Sequence, residues 1–174
     1  PLVKERPARR QVAESEVFIA PYDANQFYYI QYSDRGEKFD VANDPAISMY
    51  NSYFGSGMNA IVFQEMREAR GLAYSASAFL SSPPYVDDDY MFYAFIASQN
   101  DKLKDAVEAF DQIINNMPES EEAFQVAKTS ILSRLRTSRT TGMGVLNKYV
   151  ALRDLGLSED RDKAIFEKIQ NMTL

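Results

Sequence analysis

The spacing of apolar residues changes near residue 100, and this change limits the folds that the chain can adopt. Before it, β-branched and aromatic residues form short runs typical of strands at residues 17–19, 27–33, 72–80 and 90–98. The run at 90–98 is apolar at successive positions, which predicts a strand buried on both faces in the centre of a sheet. Turn-forming residues at 21–25 predict a hairpin between the first two runs.

Helical spacing of apolar residues predicts two helices before the 72–80 strand and four helices after residue 100. The first helix begins at Asn43 or Asp44, with Pro45 in its first turn, and ends at a pair of glycines. Ser120 is the predicted N-cap of the longest helix. The predicted helices cover about 43–54, 58–70, 103–117, 120–139, 145–155 and 158–172.

This order of elements predicts an α+β fold, with an antiparallel sheet covered on one face by helices. A chain of 174 residues can bury a sizeable core without disulfides or metals. We expect a lead-in or linker over residues 1–12 and a single domain over residues 13–174. Because Pro1 is not a methionine and Thr173 would cap a further element, we expect a fragment of a longer chain, truncated at its C-terminus.

The sequence contains no histidine and no cysteine, and these absences limit the chemistry of the chain. Without them there is no imidazole or thiolate zinc ligand, no Ser-His triad and no imidazole general base. A net charge of −6 disfavours a nucleic-acid partner, since phosphate neutralisation needs clustered lysine and arginine. No apolar run approaches the roughly 18 residues of a membrane-spanning helix, so no membrane-spanning helix is expected.

Residues 53–75 carry the most informative motif of the chain. They hold an aromatic pair, a glycine turn, a helix and a strand start in the order Tyr53-Phe54-Gly55-Ser56-Gly57, Phe63-Gln64-Glu65, Arg67-Glu68-Ala69-Arg70-Gly71-Leu72-Ala73-Tyr74. This stretch resembles the signature of the pitrilysin/insulinase (processing-peptidase-like) zinc metallopeptidases. Because the flanking elements also follow that family's domain plan, the resemblance covers nearly the whole chain and implies the LuxS/processing-peptidase-like metallohydrolase fold.

Arg67 and Tyr74 are the candidate substrate-binding residues, and the resemblance is what selects them. In the family, an arginine and a tyrosine seven positions apart reach from the metal-free domain towards the partner's active site, where they hold peptide near the scissile bond. Spacing alone is more often explained by a surface salt bridge for Arg67 and a half-buried sheet aromatic for Tyr74. Arg70 also fits the motif, and we interpret it as structural.

The chain departs from the family pattern where zinc would bind. Catalytic domains of the family carry His-x-x-Glu-His on a helix, which supplies two zinc ligands and the general base. This chain lacks histidine, and Glu65 and Glu68 are interpreted as solvated charges. The resemblance therefore implies a domain with no catalytic residues, no metal ligands and no cofactor of its own. Zinc is expected in a homologous partner domain, on the same polypeptide or on a separate subunit.

Three other patterns have simpler explanations than a binding site. The glycines at 55 and 57 superficially match a dinucleotide-binding loop, but a helix rather than a strand precedes them. Residues 87–89 are consecutive aspartates without the spacing of a calcium loop, so we expect a solvated loop. The aromatic runs at 28–29 and 92–93 are expected in the core rather than in a nucleic-acid stacking platform.

The expected function is that of the substrate-binding domain of a zinc endopeptidase, which completes the active-site chamber opposite its zinc-bearing partner and holds peptide or unfolded protein. The alternative is a structural subunit for assembly, descended from the same family without proteolysis. Retention of both Arg67 and Tyr74 favours the first, since a scaffold has no evident use for the pair. By analogy alone, a bacterial cell envelope, periplasm or cytoplasm are all compatible locations.

Overall fold

The sheet has three antiparallel strands with the most apolar strand in the middle. The computed structural model of the protein describes residues 13–55 and 57–174. In these residues β1 is Gln26–Ser33, β2 is Ser75–Ser81 and β3 is Met91–Gln99, in the spatial order β1-β3-β2. Both neighbours pair with β3 in an antiparallel register. The prediction that the run at 90–98 forms the central strand is therefore confirmed.

The helices follow the predicted order, two before β2 and four after β3. The first helix continues into a π-helical turn at Asn51–Gly55, and the second into another at Gln64–Ala69. Short 3₁₀ turns at Val41–Asn43 and Asn100–Lys102 precede the first and third helices. The helices are α1 Asp44–Tyr50, α2 Ile61–Phe63, α3 Leu103–Asn115, α4 Glu121–Thr137, α5 Met143–Asp154 and α6 Arg161–Gln170.

The helices pack on one face of the sheet, so the predicted α+β architecture is confirmed. Ala94 and Ile96 of β3 are fully buried on that face and share a core cluster with Phe110 of α3. The other face is open among the described residues, since Tyr28 and Ile30 of β1 are 59% and 56% exposed. Alternation of side chains along a strand produces this contrast between neighbouring positions.

The predicted hairpin between residues 17–19 and β1 is wrong. Val17, Phe18 and Ile19 lie outside any strand and are 84–87% exposed. A run of three residues offers few ladder bonds, whereas β3 pairs with β1 at eight successive positions. β3 therefore occupies one edge of β1, and among the described residues the other edge has no neighbouring strand, because pairing with a three-residue run would add few hydrogen bonds. The predicted lead-in at 1–12 lies outside the described residues.

Three element boundaries also differ from prediction because local backbone geometry sets them. Gly57 has a φ of +105° and Ala60 is extended, so the second helix starts at Ile61 rather than at Met58. Helix α6 begins at Arg161, where the Asp160 carboxylate accepts from the N–H of Asp162. The third shift, at the start of β2, belongs to the site and is described below. The predicted Ser120 cap of α4 is confirmed, with its Oγ accepting from Ala123 N–H at 3.2 Å.

The π-helical turn after α1 is docked directly on the backbone of β2. The Asn51 side chain donates to Leu80 O at 2.9 Å and accepts from Leu80 N–H at 2.8 Å. These two bonds satisfy the backbone N–H and C=O groups of Leu80 on the outer edge of β2. Four residues on, Gly55 lies so close that a Cβ there would sit 1.6 Å from Ala78 O. The aromatic-glycine motif thus seats the start of the α2 segment against the sheet.

A buried ion pair ties the last helix to the first. Two guanidinium nitrogens of Arg161 donate to the two carboxylate oxygens of Asp44, which is 4% exposed. The Arg161 guanidinium also lies over the ring of Phe39, 5.2 Å from its centroid. Bidentate geometry and the aromatic neighbour offset part of the cost of burying the Asp44 carboxylate and most of the Arg161 side chain.

Replacing Gly55 by alanine is expected to destabilise the domain by about 3 kcal/mol, because the added methyl group must displace the β2 backbone. The matched control is Gly144→Ala in α5, where the nearest atom to the new Cβ is a threonine methyl at 3.3 Å. Urea unfolding followed by circular dichroism would measure both. Equal midpoints for Gly55→Ala and the parent would contradict the close contact.

Candidate functional site

The chain reverses direction between α2 and β2 at a tightly bonded corner. Gly71 has a φ of +58°, and the carbonyl oxygen of Met66 accepts from the N–H groups of both Leu72, at 2.8 Å, and Ala73, at 3.2 Å. A left-handed residue followed by bonds back into the last helical turn is the usual way to end a helix. For this reason β2 begins at Ser75 instead of at residue 72, and Tyr74 lies on a bend just before the strand.

The corner is also bonded to the central strand and to the start of α3. Ser98 Oγ donates to Leu72 O at 2.6 Å, Lys102 Nζ donates to Gly71 O at 2.8 Å, and Tyr74 N–H donates to Ala97 O at 3.1 Å. Each bond occupies a backbone group that the corner leaves outside the helix and the sheet. The segment that joins Arg67 to Tyr74 is therefore held at several points.

Arg67 lies on the π-helical end of the α2 segment with its side chain half exposed. Its guanidinium is 5.1 Å from the centroid of the Phe63 ring, and its Nε is 3.6 Å from Glu68 Oε1. The two charged side chains are 50% and 56% exposed. An ion pair this open contributes little and is readily exchanged for another anion or carbonyl group. Arg67 thus presents a cation at the surface, with the aromatic ring limiting its directions.

Tyr74 is 46% exposed and its hydroxyl reaches across the sheet to β1. The phenol donates to Gln26 Oε1 at 3.0 Å, and Gln26 Nε2 donates in turn to the Tyr28 hydroxyl at 3.0 Å. Since β3 lies between β1 and β2, the Tyr74 side chain crosses the central strand to make this bond. One glutamine amide therefore links two phenols on the open face.

Removal from water, and then the nearby Tyr28 phenol, raise the pKa of Tyr74 above its ordinary value of 10.0. Partial removal from water disfavours the charged phenolate, and the neighbouring phenol adds to this effect. The Tyr74 hydroxyl accordingly keeps its proton at neutral pH. It can donate a hydrogen bond there, as a group that grips a peptide carbonyl must.

The corner brings Arg67 and Tyr74 to its two sides, but no hydrogen bond joins their side chains within the part of the chain that the structure describes. Arg67 contacts Phe63 and Glu68, whereas Tyr74 contacts Gln26. Their joint role in binding stays a prediction. The sequence did not predict Gln26 as a neighbour of Tyr74, because the two residues are 48 positions apart and only the strand order brings them together.

The remaining candidates make local structural contacts. Arg70 pairs with Glu65 at 3.4 Å. Lys38 Nζ bonds to the acidic loop, at 2.8 Å from Asp87 O and 2.7 Å from Asp89 Oδ1. The expectation of buried aromatic runs is half right, since Tyr29 and Phe92 pack against the core whereas Tyr28 stacks on Phe95 across the open face, at 5.9 Å between ring centroids.

The donor set of the chain does not fit a zinc site. Zinc prefers imidazole and thiolate ligands, and the sequence has neither. Within residues 13–55 and 57–174, no group of three or more acidic side chains is placed to hold a metal ion. In the same residues, no helix has the length and apolar character needed to cross a bilayer.

The fold and the motif at the Gly71 corner agree with the class of protein that the sequence resembles, the metal-free domains of pitrilysin-type peptidases. The sequence profile of the peptidase M16 inactive domain matches residues 3–131. The chain belongs to this family, and the resemblance found in the sequence is confirmed.

Proteins of known sequence or structure agree with this assignment. An uncharacterized zinc protease of Rickettsia bellii (strain RML369-C) is 33% identical over 88 residues, which are 49% of this chain and 21% of that protein. The peptidase M16 inactive domain from Pseudomonas fluorescens shares the fold with a TM-score of 0.68 at 18% identity, over 87% of this chain and 36% of that chain. The periplasmic protease PqqL from Escherichia coli gives a TM-score of 0.61 at 14% identity, over 87% of this chain and 17% of that chain. The chain thus spans well under half the length of these relatives.

The nearby Tyr28 phenol is expected to affect the titration of the Tyr74 hydroxyl. Tyr28→Phe removes the neighbouring hydroxyl, so the pKa of Tyr74 should fall part of the way towards 10.0, while the larger contribution of removal from water remains. A carbon-13 NMR titration of labelled tyrosine rings would measure this, with the Tyr74 signal assigned from its loss in Tyr74→Phe. Tyr32→Phe, on the same strand and face, is the control and should leave the Tyr74 titration in place. A Tyr74 pKa that is unchanged in Tyr28→Phe would show that the two phenols do not interact.

Proposed function

We propose that residues 13–174 act as the substrate-holding domain of a zinc endopeptidase and close its active-site chamber opposite a homologous, zinc-bearing domain. Arg67 and Tyr74 hold the backbone of a peptide, or of an unfolded protein, near the bond to be cleaved. The observation that carries the proposal is the corner at Gly71. This hydrogen-bonded corner presents a half-exposed cation and a protonated phenol. The family to which the chain belongs is one of peptidase domains.

The chemistry of the two side chains suits a peptide backbone. A guanidinium and a phenolic hydroxyl donate hydrogen bonds and suit carbonyl oxygens, which accept them. Donors that are held in place before the substrate arrives lose little entropy on binding and can also stabilise charge that develops on a carbonyl during attack. The bonds from Ser98, Lys102 and Ala97 to the corner supply that rigidity.

The openness of the corner supports the need for a second domain. Arg67 and Tyr74 are about half exposed and lie on the surface rather than in an enclosed cavity. Two surface clefts of the chain lie elsewhere, one beside Asn51 and Arg134 and the other beside Lys148 and Leu155. A peptide on this corner would be covered on one side only, so a partner must exclude water from the other.

The partner would supply the zinc and the general base, because this chain holds no imidazole. The family assignment implies such a homologous domain, and the related Rickettsia protein is described as a zinc protease. The share of this chain in the process is to bind and orient the peptide and to exclude water. If the companion segment or subunit lacks His-x-x-Glu-His, the chain belongs instead to the alternative class, a structural subunit for assembly.

Substitutions at the corner should separate peptide handling from metal binding. In the full-length protein, Arg67→Ala is expected to lower kcat/KM for a peptide by roughly 10- to 100-fold, and Tyr74→Phe by about tenfold, from the loss of a charged and a neutral hydrogen bond. Zinc content and the thermal midpoint should match those of the parent. Fluorogenic peptide cleavage and metal analysis would measure these quantities.

Arg70→Ala is the matched control, since Arg70 lies three residues further on and pairs with Glu65. It should retain parental turnover. Parental turnover in both Arg67→Ala and Tyr74→Phe would remove the assignment of the pair. Stoichiometric zinc and peptide hydrolysis in the purified isolated chain would overturn the proposed division of labour between the two domains.

A further inference from the structure

The Tyr74 hydroxyl has one proton, and in this structure that proton is already engaged. A phenol can donate a single hydrogen bond and accept up to two, and Tyr74 donates to Gln26 Oε1 at 3.0 Å. A peptide carbonyl can only accept. The phenol therefore cannot grip a carbonyl while it keeps its present bond, and the peptide must either displace Gln26 or find the bond reversed.

We infer that Gln26 is a positioning residue for Tyr74 and that its side-chain amide turns over when peptide binds, which releases the Tyr74 proton for a peptide carbonyl. This inference rests on the proposed function of Tyr74. In the resting state Gln26 accepts from Tyr74 through Oε1 and donates to Tyr28 through Nε2. After a half-turn of the amide, Nε2 donates to Tyr74 and Oε1 accepts from Tyr28.

The reversal keeps every hydrogen bond within the network, which is why Tyr28 belongs to it. In the resting state the Tyr28 hydroxyl accepts from Gln26, and its own proton is not used by that amide. In the reversed state that proton serves Gln26 Oε1. Gln26 then still makes one hydrogen bond to each phenol, and the Tyr74 proton is free for the peptide. A leucine or a simple acceptor at position 26 could not make this exchange, because both N–H and C=O groups are needed.

The surrounding sheet holds the network in register. Ala97 of β3 lies opposite Tyr28 of β1 and Ser75 of β2, on the face away from the helices. Although that face is open, Ala97 is fully buried, and its carbonyl oxygen accepts from Tyr74 N–H. Its small side chain lets the Tyr74 ring cross the central strand to Gln26. The Tyr28 ring is fixed in turn by stacking on Phe95 with an interplanar angle of 23°.

Two substitutions of Gln26 in the full-length protein test the inference. Gln26→Leu removes both bonds, and Gln26→Glu keeps the acceptor for Tyr74 but has no N–H to give back. Both should lower kcat/KM for a fluorogenic peptide by roughly three- to tenfold, the effect of one neutral hydrogen bond. In Tyr74→Phe neither substitution should lower it further, because a residue that acts through Tyr74 has no effect once the hydroxyl is gone.

Gln99→Leu is the matched control, because Gln99 is the register partner of Gln26 on β3. It should keep parental kcat/KM. Parental turnover in Gln26→Leu, or a loss that adds in full to that of Tyr74→Phe, would overturn the positioning role. Parental turnover in Gln26→Glu combined with a loss in Gln26→Leu would overturn the reversal, since a fixed acceptor would then suffice.

A spectroscopic readout separates this inference from the proposed function. The ring carbon-13 signal of Tyr74 should shift in Gln26→Leu and stay in place in Gln99→Leu, whatever the effect on turnover. An unshifted signal in Gln26→Leu would show that the glutamine does not hold the phenol. If the signal shifts but Tyr74→Phe keeps parental turnover, the proposed function of Tyr74 fails, and the reversal on peptide binding fails with it.

Discussion

The carbonyl oxygen of Met66 is the group on which the candidate site depends. It accepts two backbone N–H groups from beyond Gly71, and so ends the α2 segment and starts the approach to β2 in a single step. The six residues between Arg67 and Tyr74 therefore form a chain reversal rather than an extended spacer. Helix packing further back sets where this reversal lies, because Gly55 brings the preceding π-helical turn against Ala78 of β2. Much of the family motif therefore sets the backbone geometry that positions the side chains of Arg67 and Tyr74.

The sequence predicts those features that local chemistry determines. The central position of β3 follows from its unbroken apolar run, and the start of α4 follows from the Ser120 cap. The arrangement of helices on one face follows from the order of the patterns. Motif resemblance locates the candidate residues, and the profile match confirms the family on which that resemblance rests.

Features that depend on distant pairing were beyond the sequence. The short run at 17–19 has strand composition, yet composition cannot show whether a run will pair, and β1 pairs instead with the distant β3. The same limit hid Gln26, whose link to Tyr74 exists only because β1 and β2 flank the same strand. The start of β2 was misplaced for a different reason. Residues 72–74 alternate as a strand does, but their backbone groups bond partly to Met66, Ser98 and Ala97.

Our central proposal is that this chain holds substrate at the Gly71 corner, through Arg67 and Tyr74, for chemistry done by a partner domain. The most direct measurement of this claim is peptide binding in the absence of metal. Fluorescence anisotropy of a labelled peptide, recorded on the full-length protein after zinc has been removed by a chelator, would give the Kd. We expect the zinc-free parent to bind, and the Arg67→Ala/Tyr74→Phe double variant to bind at least about tenfold more weakly. An equal Kd for the two zinc-free proteins would contradict the account.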